Sequence, residues 1–94
     1  MQQVKQYQEL ILPVLKRYFV RHAAIFGSVA KGSANANSDL DILIEPSKDF
    51  TLFKLLNLEE EISALLKCKV DLVEYSALKP SIKQEVLQTA ITIL

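Results

Sequence analysis

The run Asp39-Leu-Asp-Ile-Leu-Ile-Glu45 constrains this chain more than any other stretch. Leu40, Ile42 and Ile44 alternate with Asp39, Asp41 and Leu43. A period of two predicts a β-strand, here over 39–45, with one face apolar and the other carrying two acids. Two rises of about 3.4 Å put Asp39 and Asp41 roughly 7 Å apart along one face. Carboxylates at that spacing can converge on a hard cation. Mg²⁺ suits them, because it takes oxygen ligands and is completed by waters and substrate phosphates. Left alone, the two charges repel, and one carboxyl is expected to hold its proton more tightly.

A second signal lies ten residues upstream. Ala23-Ala-Ile-Phe26 reads as the end of a strand over 22–26, and Gly27-Ser28 follows it directly. Gly27 allows a sharp turn and a close approach to the backbone. Ser28 then falls where a short helix over 28–32 begins, and free N–H groups at such an end attract phosphate. Ser28 could equally be a plain helix cap. Lys31 adds a positive charge one turn later, and Gly32 ends the helix. Ser33-Ala-Asn-Ala-Asn-Ser38 is a polar loop leading to the acidic strand.

A third carboxylate is expected in Val70-Asp-Leu-Val-Glu74, where Val70 and Leu72 alternate around Asp71 within a strand over 69–74. Beside the first acidic strand, at about 4.8 Å, Asp71 would join the pair. Glu74 falls on the opposite side of that alternation and is the weaker choice. Asp39, Asp41 and Asp71 are therefore the expected metal-holding and catalytic set, and Gly27, Ser28 and Lys31 the expected nucleotide-binding set.

Gly27-Ser28, ten residues, then Asp39-x-Asp41, with a later strand acid at Asp71, resembles the signature of the DNA polymerase beta-like nucleotidyltransferase superfamily. The small size narrows the resemblance to minimal nucleotidyltransferases of the MntA-type antitoxin family. At position 31 relatives commonly carry Arg; Lys31 keeps the charge but loses the bidentate fork. The resemblance implies a small mixed sheet with helices packed on one face and the three acids on the other. It implies two Mg²⁺ ions, ATP as substrate, and a partner, a helical HEPN-domain ribonuclease toxin that receives AMP on a tyrosine. A small-molecule acceptor such as an aminoglycoside, or a binding antitoxin with an idle site, are the other readings. No added domain to hold an acceptor is expected, which favours a partner protein supplying the rest of the site.

At 94 residues one domain over 1–94 is expected. Lys+Arg equals Asp+Glu, so net charge is zero, which argues against a strongly basic nucleic-acid binder, and no direct nucleic-acid binding is expected. Half the residues are apolar, high for so small a chain, and some are expected to remain exposed for an oligomer or partner. Cys68 is the only cysteine and reads as a small packed hydrophobe. A polar N-terminal stretch and no membrane-length apolar run fit a reducing cytoplasm.

The rest of the pattern is helical. Val4, Tyr7, Leu10, Ile11, Val14, Leu15 and Tyr18 predict an amphipathic helix over 2–19, kinked or divided at Pro13. Thr51 caps a helix striped by Leu52, Leu55, Leu56, Ile62, Leu65 and Leu66. Glu59-Glu-Glu61 is expected on its solvated face, since adjacent helix positions fan out around the axis. Lys79-Pro-Ser81 opens a last helix with Ile82, Val86, Ala90 and Ile93 on one stripe. Interspersed strands and helices give a mixed α/β class.

Overall fold

A computed structural model describes residues 2–33 and 39–94. The elements are α1 (Gln2–Arg17), β1 (His22–Phe26), α2 (Gly27–Lys31), β2 (Leu40–Glu45), α3 (Leu52–Leu66), β3 (Val70–Glu74), α4 (Pro80–Thr89) and β4 (Ile91–Thr92). One 3₁₀ turn, Tyr75–Ala77, joins β3 to α4. The loop expected at 33–38 lies, from residue 34 on, outside the described residues.

The strands form one mixed sheet in the order β3-β2-β1-β4. β1 and β2 are antiparallel, whereas β2 and β3, joined through α3, are parallel, as a helical crossover requires. Alternation sorts the two faces. Ala23, Ile25, Leu40, Ile42, Ile44, Val70 and Leu72 are buried against α1 and α3, with Ile11, Leu15, Leu58 and Ile62 from the helices. Each buried Val, Leu or Ile side chain among them contributes about 1.5–3 kcal/mol by leaving water. The opposite face is only partly covered: Leu78, Val86 and Ala90 pack over Ala24 and Leu43. Contrary to expectation, the helices are therefore not all on one face: α4 lies opposite α1 and α3, and it leaves the carboxylate end of its face open.

Helix ends follow local chemistry. α1 is one continuous helix despite Pro13, and it stops two residues short of the expected end. Phe19 adopts a left-handed conformation (φ 57), Val20 N–H reaches the Leu15 carbonyl and Phe19 N–H reaches that of Lys16. That is a Schellman stop, with Phe where glycine is usual. Thr51 caps α3 as expected, its Oγ1 accepting from Lys54 N–H at 3.2 Å.

Two further expectations are corrected. The last helix does not run to Ile93: it ends at Thr89, and Ile91–Thr92 pair antiparallel with Ala24 and Ile25 of β1. Ile93 is buried in the main core, away from Val86 and Ala90. The β-branched Ile-Thr-Ile run favours strand, and its backbone meets the free edge of β1 through Ile93 N–H to Ala23 O and Ala23 N–H to Leu94 O. The acidic run on α3 is not simply solvated either. Glu59 Oε2 accepts from Leu72 N–H at 3.1 Å, on the outer edge of β3. Glu61 pairs with Arg17 and accepts from the Tyr18 hydroxyl, tying α3 to the end of α1.

Exposed apolar side chains are present as expected: Phe19, Leu52, Phe53 and Leu56 stand largely in solvent around the start of α3 and the end of α1. Among the described residues no helix is long and apolar enough to cross a membrane.

Candidate active site

The open end of the sheet collects the sequence-predicted acids. Asp41 lies directly across from Asp71 in the parallel β2–β3 ladder, and from Phe26 in the antiparallel β1–β2 ladder. Like charges directly opposite in a sheet oppose each other. Burial, and then the charges of Asp71 and Asp39, push the Asp41 carboxyl above the ordinary carboxylate range. Asp39 precedes β2 and lies 3.8 Å from the Lys69 ammonium, a largely exposed pair. Its charge also reaches Cys68, whose partly buried thiol is raised first by desolvation and then by Asp39. Cys68 thus stays a protonated packing group, as expected.

Gly27 is placed under Asp41. It opens α2 with φ 72, and a Cβ there would fall 2.2 Å from Asp41 Oδ2 and 3.1 Å from its Cγ. Both the left-handed backbone and the carboxylate above it demand glycine. The close approach that the sequence suggests is made by Asp41 itself. Ser28 is not the cap of α2: the cap position is Phe26, and no side chain bonds the first N–H groups. Ser28 sits inside the turn with its hydroxyl outside any cap role, while its carbonyl accepts from Gly32 and Ser33. Lys31 Nζ lies 3.5 Å from Glu85 Oε1 of α4, an exposed pair worth little and easily exchanged.

A cleft of about 540 Å³ adjoins the acids. Asp41 and Asp71 line it, together with Phe26 and Val73 from the sheet and Leu78, Lys79, Ser81 and Ile82 from the start of α4. Lys79, Ser81 and Ile82 escape sequence reasoning. The available signal was Lys79-Pro80, a helix start that follows the Asp71 strand within a few residues.

The donor set suits a hard divalent ion: three carboxylates, two of them in register on neighbouring strands. Among the described residues no group of three His, Cys, Asp or Glu side chains is placed to hold one metal ion. Burial first, and then the Asp71 and Asp39 charges, disfavour the ionised Asp41 carboxylate, and a bound cation would relieve that.

The site thus joins a glycine turn, pressed against Asp41, to a facing pair of sheet carboxylates beside an open cleft. Residues 9–94 match the family model described as polymerase beta, nucleotidyltransferase, and the chain belongs to that family. Among relatives, it is 32% identical over 91 residues to a candidate protein adenylyltransferase, MJ0435, of Methanocaldococcus jannaschii, covering 97% of this chain and 98% of that one. It is 41% identical over 76 residues to protein adenylyltransferase MntA of Thermococcus cleftensis, covering 81% and 77%. Among solved structures, a candidate minimal nucleotidyltransferase superposes with a TM-score of 0.84 at 32% identity, over 96% of this chain and 92% of that one. An MNT antitoxin in complex with a tri-AMPylated HEPN toxin from Shewanella oneidensis gives 0.74 at 20% identity, over 100% and 72%, a likeness of fold. The mixed sheet and the nucleotidyltransferase class expected from the sequence are thereby established.

Proposed function

We propose that this chain is a protein adenylyltransferase that moves AMP from ATP to a tyrosine hydroxyl of a partner HEPN-domain toxin, and so acts as its antitoxin. The observation that carries the reading is Asp41, held opposite Asp71 and seated on the Gly27 backbone. The adenylyltransferase names of the relatives, and the HEPN partner of one structural neighbour, support the acceptor class.

In the proposed step the acceptor oxygen forms a bond to the α-phosphorus of ATP. The bond from that phosphorus to the bridging oxygen breaks, and pyrophosphate leaves. The hydroxyl proton goes to Asp71. Ser28 and the N–H groups that follow it hold the β- and γ-phosphates, and Lys31 exchanges Glu85 for phosphate oxygen. Asp39 and Asp41 would hold two Mg²⁺ ions, with Asp71 on the second. Bound there, such ions acidify an attacking hydroxyl and offset charge on the leaving pyrophosphate. The activity is assigned to a single domain over 1–94, working in the cytoplasm.

The test is intact-mass spectrometry of the partner toxin after incubation with this protein, ATP and Mg²⁺. Addition of AMP units by the native protein, lost in Asp39→Asn/Asp41→Asn, is the expected result. No added mass while the two proteins still form a tight complex would leave a binding antitoxin in place of an enzyme.

A further inference from the structure

We propose that Glu59 is a positioning residue for Asp71: its bond to the Leu72 N–H fixes the direction in which Asp71 meets Asp41. The assignment rests on the reading that these acids hold the cations for adenylyl transfer, and it names what keeps them in place. Its first support is the hydrogen-bond pattern of β3. Leu40 N–H reaches the Lys69 carbonyl at 2.9 Å, and Asp41 lies in register with Asp71. In a parallel ladder alternate residues of a strand turn their backbone groups to the same neighbour. Lys69, Asp71 and Val73 therefore face β2, and Leu72 turns its N–H outward. There Glu59 Oε2 accepts it at 3.1 Å. Among the described residues, Glu59 is the one side chain bonded to an outward N–H of β3.

The second support is the place of that bond. β3 is a border strand, paired on one side by β2. An outward N–H on such a strand ordinarily bonds water, which leaves its peptide plane free to tilt. The peptide tied by Glu59 is the one that joins Asp71 to Leu72, so its tilt sets where the Asp71 Cα–Cβ bond aims. Asp71 is exposed and faces the like charge of Asp41, so the backbone, and not packing around the side chain, must hold it. Both ends of the bond are anchored: Leu72, and Leu58 beside Glu59, are buried in the same core. The acceptor is a carboxylate, which makes the bond stronger than one between neutral groups. α3 thereby lends the rigidity of the core to a carboxylate that stands outside it.

The experiment titrates the full ¹⁵N-labelled chain with Mn²⁺ alone, under conditions where circular dichroism shows each variant folded. Broadening of the Asp41 and Asp71 amide signals reports where and how tightly the ion sits. Glu59→Ala removes bond and charge together and should weaken Mn²⁺ binding about tenfold. Glu59→Gln removes the charge but keeps an acceptor oxygen, and should hold most of the native affinity. Thr51→Ala removes the cap at the start of α3, lowers stability by a comparable amount, and should leave Mn²⁺ binding unchanged. With toxin and ATP present, Glu59→Ala should lower kcat about tenfold and leave the KM for ATP unchanged. Native affinity in Glu59→Ala would overturn the assignment. Equal losses in Glu59→Gln and Glu59→Ala would overturn it in favour of charge alone, and an equal loss in Thr51→Ala in favour of stability alone. Those results leave the transferase reading intact, whereas failure of the native chain to bind Mn²⁺ would remove the cation reading and this assignment with it.

Discussion

Gly27→Ala tests whether the placement of Asp41 matters to the chemistry. The new Cβ would stand 2.2 Å from Asp41 Oδ2, where carbon and oxygen ordinarily keep roughly 3.3–3.6 Å. Oδ2 must therefore retreat by roughly 1.1–1.4 Å. Cγ and Cβ of Asp41 are also close, at 3.1 and 3.4 Å, so the whole carboxyl group must swing and not just one oxygen. A displacement of about 1 Å at a reacting centre costs on the order of 100-fold in rate, close to 2.7 kcal/mol of barrier. The left-handed backbone adds about 1–2 kcal/mol of instability for any residue with a Cβ, partly offset because alanine stiffens the unfolded chain. At this size each kcal/mol lowers Tm by about 4–8 °C. Gly32→Ala supplies the control, since Gly32 is also left-handed (φ 75) but ends α2 instead of opening it. Both variants should melt earlier; only Gly27→Ala should lose AMP transfer, measured as pyrophosphate release in the presence of the toxin. Equal transfer rates for the two would refute the reasoning.

Three further outcomes follow from the same structure. Because burial and its acidic neighbours raise the Asp41 carboxyl, the folded chain holds that proton more tightly than the unfolded chain. Stability from this group is present at low pH and lost as pH rises through the raised value. Thermal melts in EDTA should show that slope in the native protein and a shallower one in Asp41→Asn, which should melt higher at neutral pH. Glu59→Ala removes the acceptor for Leu72 N–H and should cost about 1 kcal/mol in urea titrations, with faster hydrogen exchange at the Leu72 amide. Phe19→Gly relieves a left-handed phenylalanine that is 73% exposed, and should raise stability by about 0.5–1 kcal/mol; an unchanged or lower Tm would show that Phe19 is held there by packing.

β2 could be read in the sequence because its two faces differ chemically: aliphatic residues alternate with acids, and only a strand separates them. Asp71 was legible for the same reason, given its place between Val70 and Leu72. β4 was not, since two residues are too few to show a period, and Ile82, Val86, Ala90 and Ile93 happen to fit a helical one. The roles of Glu59 and Glu61 depend on partners 13 and 44 residues away, which local spacing cannot supply. At the site, the sequence indicates that residue 27 must turn freely. That its neighbour is Asp41 follows only from the β1–β2 register, just as Lys79, Ser81 and Ile82 reach the cleft only once α4 has folded back over the sheet.

The carboxylate of Glu59 on Leu72 N–H has a further consequence for assembly. A sheet of this kind has two flanks where a foreign strand could pair by main-chain hydrogen bonds. On the β3 flank, one of the donors such a strand would use is already engaged by α3. On the other flank stands β4, only two residues long, too short to template an incoming strand. Neither border invites continuation of the sheet into another molecule. Association through side chains on the helical surfaces or the open face is the route this architecture leaves, and a bound protein should contact this one without extending its β-structure.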